Sequence, residues 1–134
     1  MKLSSLSLQK IFLSVVGVCS LSIPLMPSAQ ANPYQQVRHY CKYYESVFVA
    51  AETKNFYVSI CGSHSPYHYV GVSKKTGKAI RLPLTVDGTE SRGQYFEAVN
   101  GKYTYILANS TKGKNLTVSR GYRELLREPV LRGF

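Results

Sequence analysis

Gln94-Tyr95-Phe96-Glu97-Ala98-Val99-Asn100-Gly101-Lys102-Tyr103-Thr104-Tyr105-Ile106-Leu107-Ala108 decides the fold class. Two runs rich in aromatic and β-branched residues flank Asn100-Gly101, and both residues tolerate the positive φ that a type I′ turn needs at its two central positions. The stretch reads as a hairpin with strands over 94–99 and 102–108.

The same pattern extends outward. Ser46 to Glu52 is a β-branched and aromatic run, and Thr53-Lys54-Asn55 supplies a turn. In Phe56-Tyr57-Val58-Ser59-Ile60-Cys61, Phe56, Val58 and Ile60 point one way while Tyr57, Ser59 and Cys61 point the other. Tyr67 to Ser73 and Ala79 to Leu84 form the next pair around a polar turn containing Gly77, and Pro83 marks a strand end or a sheet edge. Asp87 to Ser91 and Asn109 to Lys114 read as loops. Asn115 to Arg120 and Arg123 to Arg127 read as strands, since Pro129 disfavours helix at Glu128, and Val130-Leu131 is placed to close the sheet. Seven to eight short strands with turns at this spacing predict an all-β fold, a single small antiparallel barrel or sandwich.

The first 31 residues predict an address. Lys2 and Lys10 precede and enter an apolar run, Ile11 to Val18, and Pro24 and Pro27 lead to Ala29-Gln30-Ala31. A positive start, a short apolar segment and small residues before the cut form a secretory signal peptide. The expected organisation is a signal peptide over 1–31, an irregular arm over 32–45 and an antiparallel β-domain over 46–134. The expected location is periplasmic or secreted, with no transmembrane anchor after cleavage.

Cleavage changes the composition in two ways. It removes Cys19 and leaves Cys41 and Cys61, an even pair in an oxidising compartment, which predicts a disulfide. It also leaves fifteen of the 17 basic residues against all seven acids, about +8, with all 11 tyrosines and no tryptophan.

Chemistry is sparse. His64 and His68 straddle Pro66, which argues against the helical spacing a shared metal would need. No metal or cofactor is expected. Ser63, Ser65 and Ser91 lack a nucleophile-elbow context, and no catalytic residue is assigned. Asn109-Ser110-Thr111 and Asn115-Leu116-Thr117 match the glycosylation pattern but, behind a bacterial-type signal, read as loop chemistry. The candidate binding surface is a set of tyrosines and cations: Tyr67, Tyr69, Tyr103 and Tyr105, with Lys74, Lys75, Lys78, Arg81, Arg92 and Lys102 in or beside the same strands. Such a set grips polyanions by stacking and ion pairing.

Glu52 to Gly62, Tyr69-Val70-Gly71-Val72, Ile80-Arg81-Leu82-Pro83-Leu84 and Ala98-Val99-Asn100-Gly101 resemble a group of small exported cyanobacterial proteins of unknown function. That resemblance implies export and a small domain, with no activity or site residues attached. Tyr40-Cys41 and the loop Ser91-Arg92-Gly93-Gln94-Tyr95, a Ser-Gly loop interrupted by Arg92, are similar to the small periplasmic β-barrel inhibitors of C-type lysozyme. The expectation is an exported, non-catalytic β-domain that binds an anionic polymer or an envelope component. The alternatives are a secreted protein inhibitor of a cell-wall hydrolase and a small basic hydrolase.

Overall fold

The computed structural model describes residues 36–90 and 93–134, so the expected signal peptide, Ser91 and Arg92 lie outside the described residues. The fold is all-β and antiparallel, with no helix among the described residues. Its strands are β1 (Ser46–Glu52), β2 (Phe56–Gly62), β3 (Pro66–Ser73), β4 (Ala79–Glu90), β5 (Gly93–Asn100), β6 (Tyr103–Ser110), β7 (Gly113–Arg120), β8 (Arg123–Pro129) and β9 (Arg132–Gly133). Nine strands form among the described residues rather than seven or eight, the ninth being the two-residue pairing of 132–133 with β1.

The sheet order is β8-β7-β6-β5-β4-β3-β2-β1-β9, a meander in which each strand pairs with its sequence neighbour except at the end. There the chain leaves β8, on one edge, and joins β1, on the other. The hand-over happens at adjacent amides: Val130 N donates to Lys114 O at 2.9 Å, and Leu131 N donates to Glu52 O at 2.7 Å. The sheet therefore curls until its final segment touches both edges.

The long strand β4 makes the other corner. Residues 79–83 pair with β3, and residues 84–90 pair with β5, with a register shift between Leu84 and Val86. Pro83 lies at this change of partner, opposite His68. The strand neither ends at Pro83 nor forms a sheet edge there. Passing from one partner to the next accommodates a residue that donates no ladder hydrogen bond. Pairing likewise extends through 87–90, 109–110 and 113–114, so the expected loops shrink to short turns and Asn109 and Asn115 lie in strands. In the central hairpin Asn100 pairs with Tyr103, which leaves Gly101-Lys102 as the two turn residues. Gly101 alone has positive φ, 60°, the glycine-first arrangement of a type II′ turn rather than type I′.

Alternation sorts the side chains. Val58, Ile60, Tyr69, Phe96, Ala98, Leu107 and Leu116 fill the concave core, with Ile80, Leu82 and Leu126 packed against it. The opposite faces of β2 and β3 are covered as well. Cys61, Val70 and Val72 form a second cluster with Tyr40, Cys41 and Tyr57, because residues 36–45 cross that face without forming a strand. Cys41 and Cys61 are disulfide-bonded, with Cα atoms 5.5 Å apart, and Tyr40 N donates to Ser59 Oγ at 2.9 Å. This coverage buries β2 and β3 on both sides. A disulfide-bonded β-domain, with no helix among the described residues long and apolar enough to cross a membrane, is compatible with an extracellular location.

Candidate functional site

The turns at 53–55, 74–78, 101–102 and 121–122 gather at one end of the curled sheet, where the core is incompletely filled. Along β3 the inward residues run Tyr69, Gly71, Ser73, so the strand loses side-chain volume towards that end. A cleft of about 340 Å³ results, lined by Tyr69, Gly71, Ile80, Tyr105, Val118 and Leu126, with Lys78 and Tyr103 also at its wall. Its volume is at the lower end of the range of small-molecule sites, ~300–1,000 Å³.

Tyr69 is buried, 2% exposed. A Cβ on Gly71 would lie 3.0 Å from the Tyr69 Cε1 and 3.1 Å from its hydroxyl, so the ring leans along its own strand over the glycine. The Tyr105 ring sits 5.5 Å away at a 36° tilt. Burial pushes the Tyr69 phenol well above its ordinary pKa, with the neighbouring Tyr105 adding to the shift. Burial also raises Tyr105, with Tyr103 contributing. Both are neutral phenols throughout the physiological range, able to donate hydrogen bonds inside apolar walls.

The charges around this end are unevenly committed. Lys78 and Lys102 are exposed on the turns, as are Arg120 and Arg123 at the strand ends that flank the 121–122 turn, and the Arg120 guanidinium lies 5.9 Å from the Tyr103 ring centroid. The acids beside these turns are already bound. Glu52 accepts from Lys74 Nζ at 2.6 Å and from Arg132 Nε at 2.7 Å. The Lys74 bond holds the Glu52 carboxyl below its ordinary pKa against the opposing effect of burial, helped by Arg132. Glu124 pairs with Arg127 at 2.8 Å. Glu128 accepts from Thr53 Oγ1 at 2.6 Å and from the Asn55 backbone and side chain. Burial alone would raise the Glu128 carboxyl, but these donors hold it low.

The expected binding residues divide into three groups. Tyr69, Tyr103 and Tyr105 converge on the cleft with Lys78, and Lys75 and Lys102 are exposed on adjacent turns. Lys74 and Arg81 are instead part of the framework. The Lys74 ammonium also reaches Thr53 O at 2.7 Å and lies 4.8 Å from the Tyr57 ring centroid. Arg81 binds Glu45, whose side chain is 1% exposed. Tyr67 sits at the opposite end of β3, its ring 4.5 Å from that of His68, and Arg92 lies outside the described residues. Gly71, Val118, Leu126 and Arg120 were not singled out in the sequence. The one available signal was the glycine between Val70 and Val72, a small residue on the inward face of a buried strand.

A second cluster surrounds the disulfide. The Glu45 carboxylate and the Cys41 and Cys61 sulfurs lie within 4.8 Å of one another. Those sulfurs are bonded to each other, and Glu45 is engaged by Arg81 and by the Lys42 amide at 2.9 Å. Burial tends to raise the Glu45 carboxyl, but Arg81, the amide and His68 bring it below its ordinary value. His68 approaches Glu45 at 3.5 Å and Arg81 at 3.0 Å. Burial first and Arg81 second lower its pKa, so the imidazole is neutral near pH 7. His39 and His64 are exposed. The cluster fastens the arm, Glu45 to Arg81 of β4 and Cys41 to Cys61 of β2. No family model, curated protein or solved structure matches this chain.

Proposed function

We propose that this protein is an exported, non-catalytic binding domain, periplasmic or secreted, that holds an anionic ligand at the turn end of its sheet with the ligand's apolar part in the cleft. One observation carries the reading. An apolar cleft opens where Lys78, Lys102, Arg120 and Arg123 are exposed and where Glu52 and Glu124 are paired with other cations while Glu128 is taken up by hydrogen bonds from Thr53 and Asn55. Such a site attracts a negative group to its rim and removes the attached hydrocarbon from water at roughly 25 cal/mol per Å². The cleft favours an amphiphile over a polymer chain, since a polyanion would use the rim and leave the apolar interior empty.

Anilinonaphthalene sulfonate, an anion whose fluorescence rises in apolar surroundings, tests this directly. The expected result is bright emission that decanoate displaces and decyltrimethylammonium does not. Added salt and Lys78→Glu should both weaken the binding. Equal displacement by the cationic amphiphile would overturn the reading. Polyphosphate binding that leaves the probe in place would favour the polymer.

A further inference from the structure

Tyr69 carries more information than its place in the cleft wall. The residue is 2% exposed, and its hydroxyl has no hydrogen-bond partner among the described residues. Among the described residues, no fully buried side-chain oxygen or nitrogen lacks a hydrogen bond. The Tyr69 hydroxyl must therefore keep a small open surface, and the cleft is what it opens on. Water can reach that surface while the cleft is empty, but a ligand that fills the cleft displaces it and leaves the donor at a cost unless the ligand pairs with it. A phenylalanine would fill the same space with no unpaired group.

From this we propose that the ligand is a medium-chain carboxylic acid with one oxygen function, a hydroxyl or ketone, on its hydrocarbon chain. The carboxylate sits at the rim with Lys78, and the chain oxygen accepts a hydrogen bond from Tyr69. The inference rests on the anion-binding reading above and narrows it. The walls dictate the division of labour. Ile80, Val118 and Leu126 take hydrocarbon, while Tyr69 is a neutral donor that can satisfy an uncharged oxygen without burying a negative charge. A carboxylate placed deep in the cleft would lose its hydration among apolar side chains, so the charged group belongs at the lysine. Gly71 is a positioning residue: a Cβ there would lie 3.0 Å from the Tyr69 ring and 3.1 Å from its hydroxyl, so the missing side chain leaves room for the phenol where it stands.

The test titrates the protein, expressed from its full chain, with decanoate and with hydroxydecanoates bearing the hydroxyl at successive carbons. At least one hydroxy acid should bind roughly five- to tenfold tighter than decanoate, the value of one added hydrogen bond. Tyr69→Phe should abolish that preference, and a thermal melt of the variant reports that it is folded. Should Tyr69→Phe fail to fold, Gly71→Ala, which displaces the hydroxyl, should erode the same preference. Decanoate binding with no preference for any hydroxy acid overturns this inference and leaves the broader reading standing. Failure of every acid to bind overturns both.

Discussion

Glu128, near the C-terminal end of β8, accepts a 2.6 Å hydrogen bond from Thr53 Oγ1 in the β1–β2 turn, 75 residues away in sequence. Thr53 is fully buried and Glu128 nearly so. The same carboxylate takes the Asn55 amide at 3.2 Å and the Asn55 side chain. One buried acid thus ties the two ends of the meander together beside the point where Val130 and Leu131 hand the chain across.

Replacing Glu128 by alanine removes the acceptor of these hydrogen bonds and strands the Thr53 hydroxyl in the interior. The expected loss is about 2–4 kcal/mol. For a domain of this size that lowers Tm by about 10–20 °C. Thr53→Ala, which leaves the Asn55 bonds in place, should cost less. A thermal melt of both variants checks the order, and an unchanged Tm for Glu128→Ala would show that backbone bonding at 130–134 suffices to hold the edges.

Removing the Cys41–Cys61 bridge by a double alanine substitution should cost about 3 kcal/mol on the chain-entropy view. The loss should be local in character. The arm is fastened to the outer face of β2 and β3, so the Tyr40 amide should exchange with solvent sooner than the strand amides beneath it. Hydrogen exchange with the bridge intact and absent distinguishes this from a uniform loosening.

Stability should decline towards acid in two stages. The His68 pKa is depressed in the folded state, so its contribution is complete above the unfolded value of about 6.5 and falls as pH drops through it. The depressed carboxyls of Glu45, Glu52 and Glu128 add a second loss below about pH 4.5. At the alkaline end the sign reverses. Tyr69 and Tyr105 are raised and Tyr95 is pushed up to about 12 by burial and its bond to Glu97, so stability is lost above the unfolded tyrosine value of about 10. Urea midpoints measured across pH test all three limbs, and His68→Gln should flatten the first.

Gly71→Ala would bring a methyl against the Tyr69 ring, with contacts of 3.0 and 3.1 Å to relieve. Overpacking of this kind costs about 1–3 kcal/mol. Affinity for anilinonaphthalene sulfonate should fall alongside the melting temperature, whereas a distant change such as Tyr43→Ser, at a residue 98% exposed, should alter neither.

Strand identity was largely legible because period-two alternation is a local property. Phe56, Val58 and Ile60 face the core as their spacing requires, and the run at Arg123 is a strand. The misreadings also have local causes. Pro83, Asp87-Gly88 and Asn109 carry turn chemistry, yet a long strand changing partners at a corner and hairpins with two-residue turns accommodate all of them. The cationic surface was less legible. Lys74 and Arg81 look like Lys78 and Lys102 in sequence, and only the positions of Glu52 and Glu45 in space separate framework cations from exposed ones.

By itself the sequence determined a set of short antiparallel strands and which faces they present, and it offered Cys41 and Cys61 as a pair. Those properties depend on residues within a few positions of each other, or on simple counting. The tertiary structure decided how the sheet's two edges meet, that residues 36–45 cover its outer face, and that Tyr69 lies over Gly71 in an apolar cleft. These features arise from contacts between distant segments, such as Glu128 with Thr53, and alternation along a strand carries no information about which distant edge will close upon it.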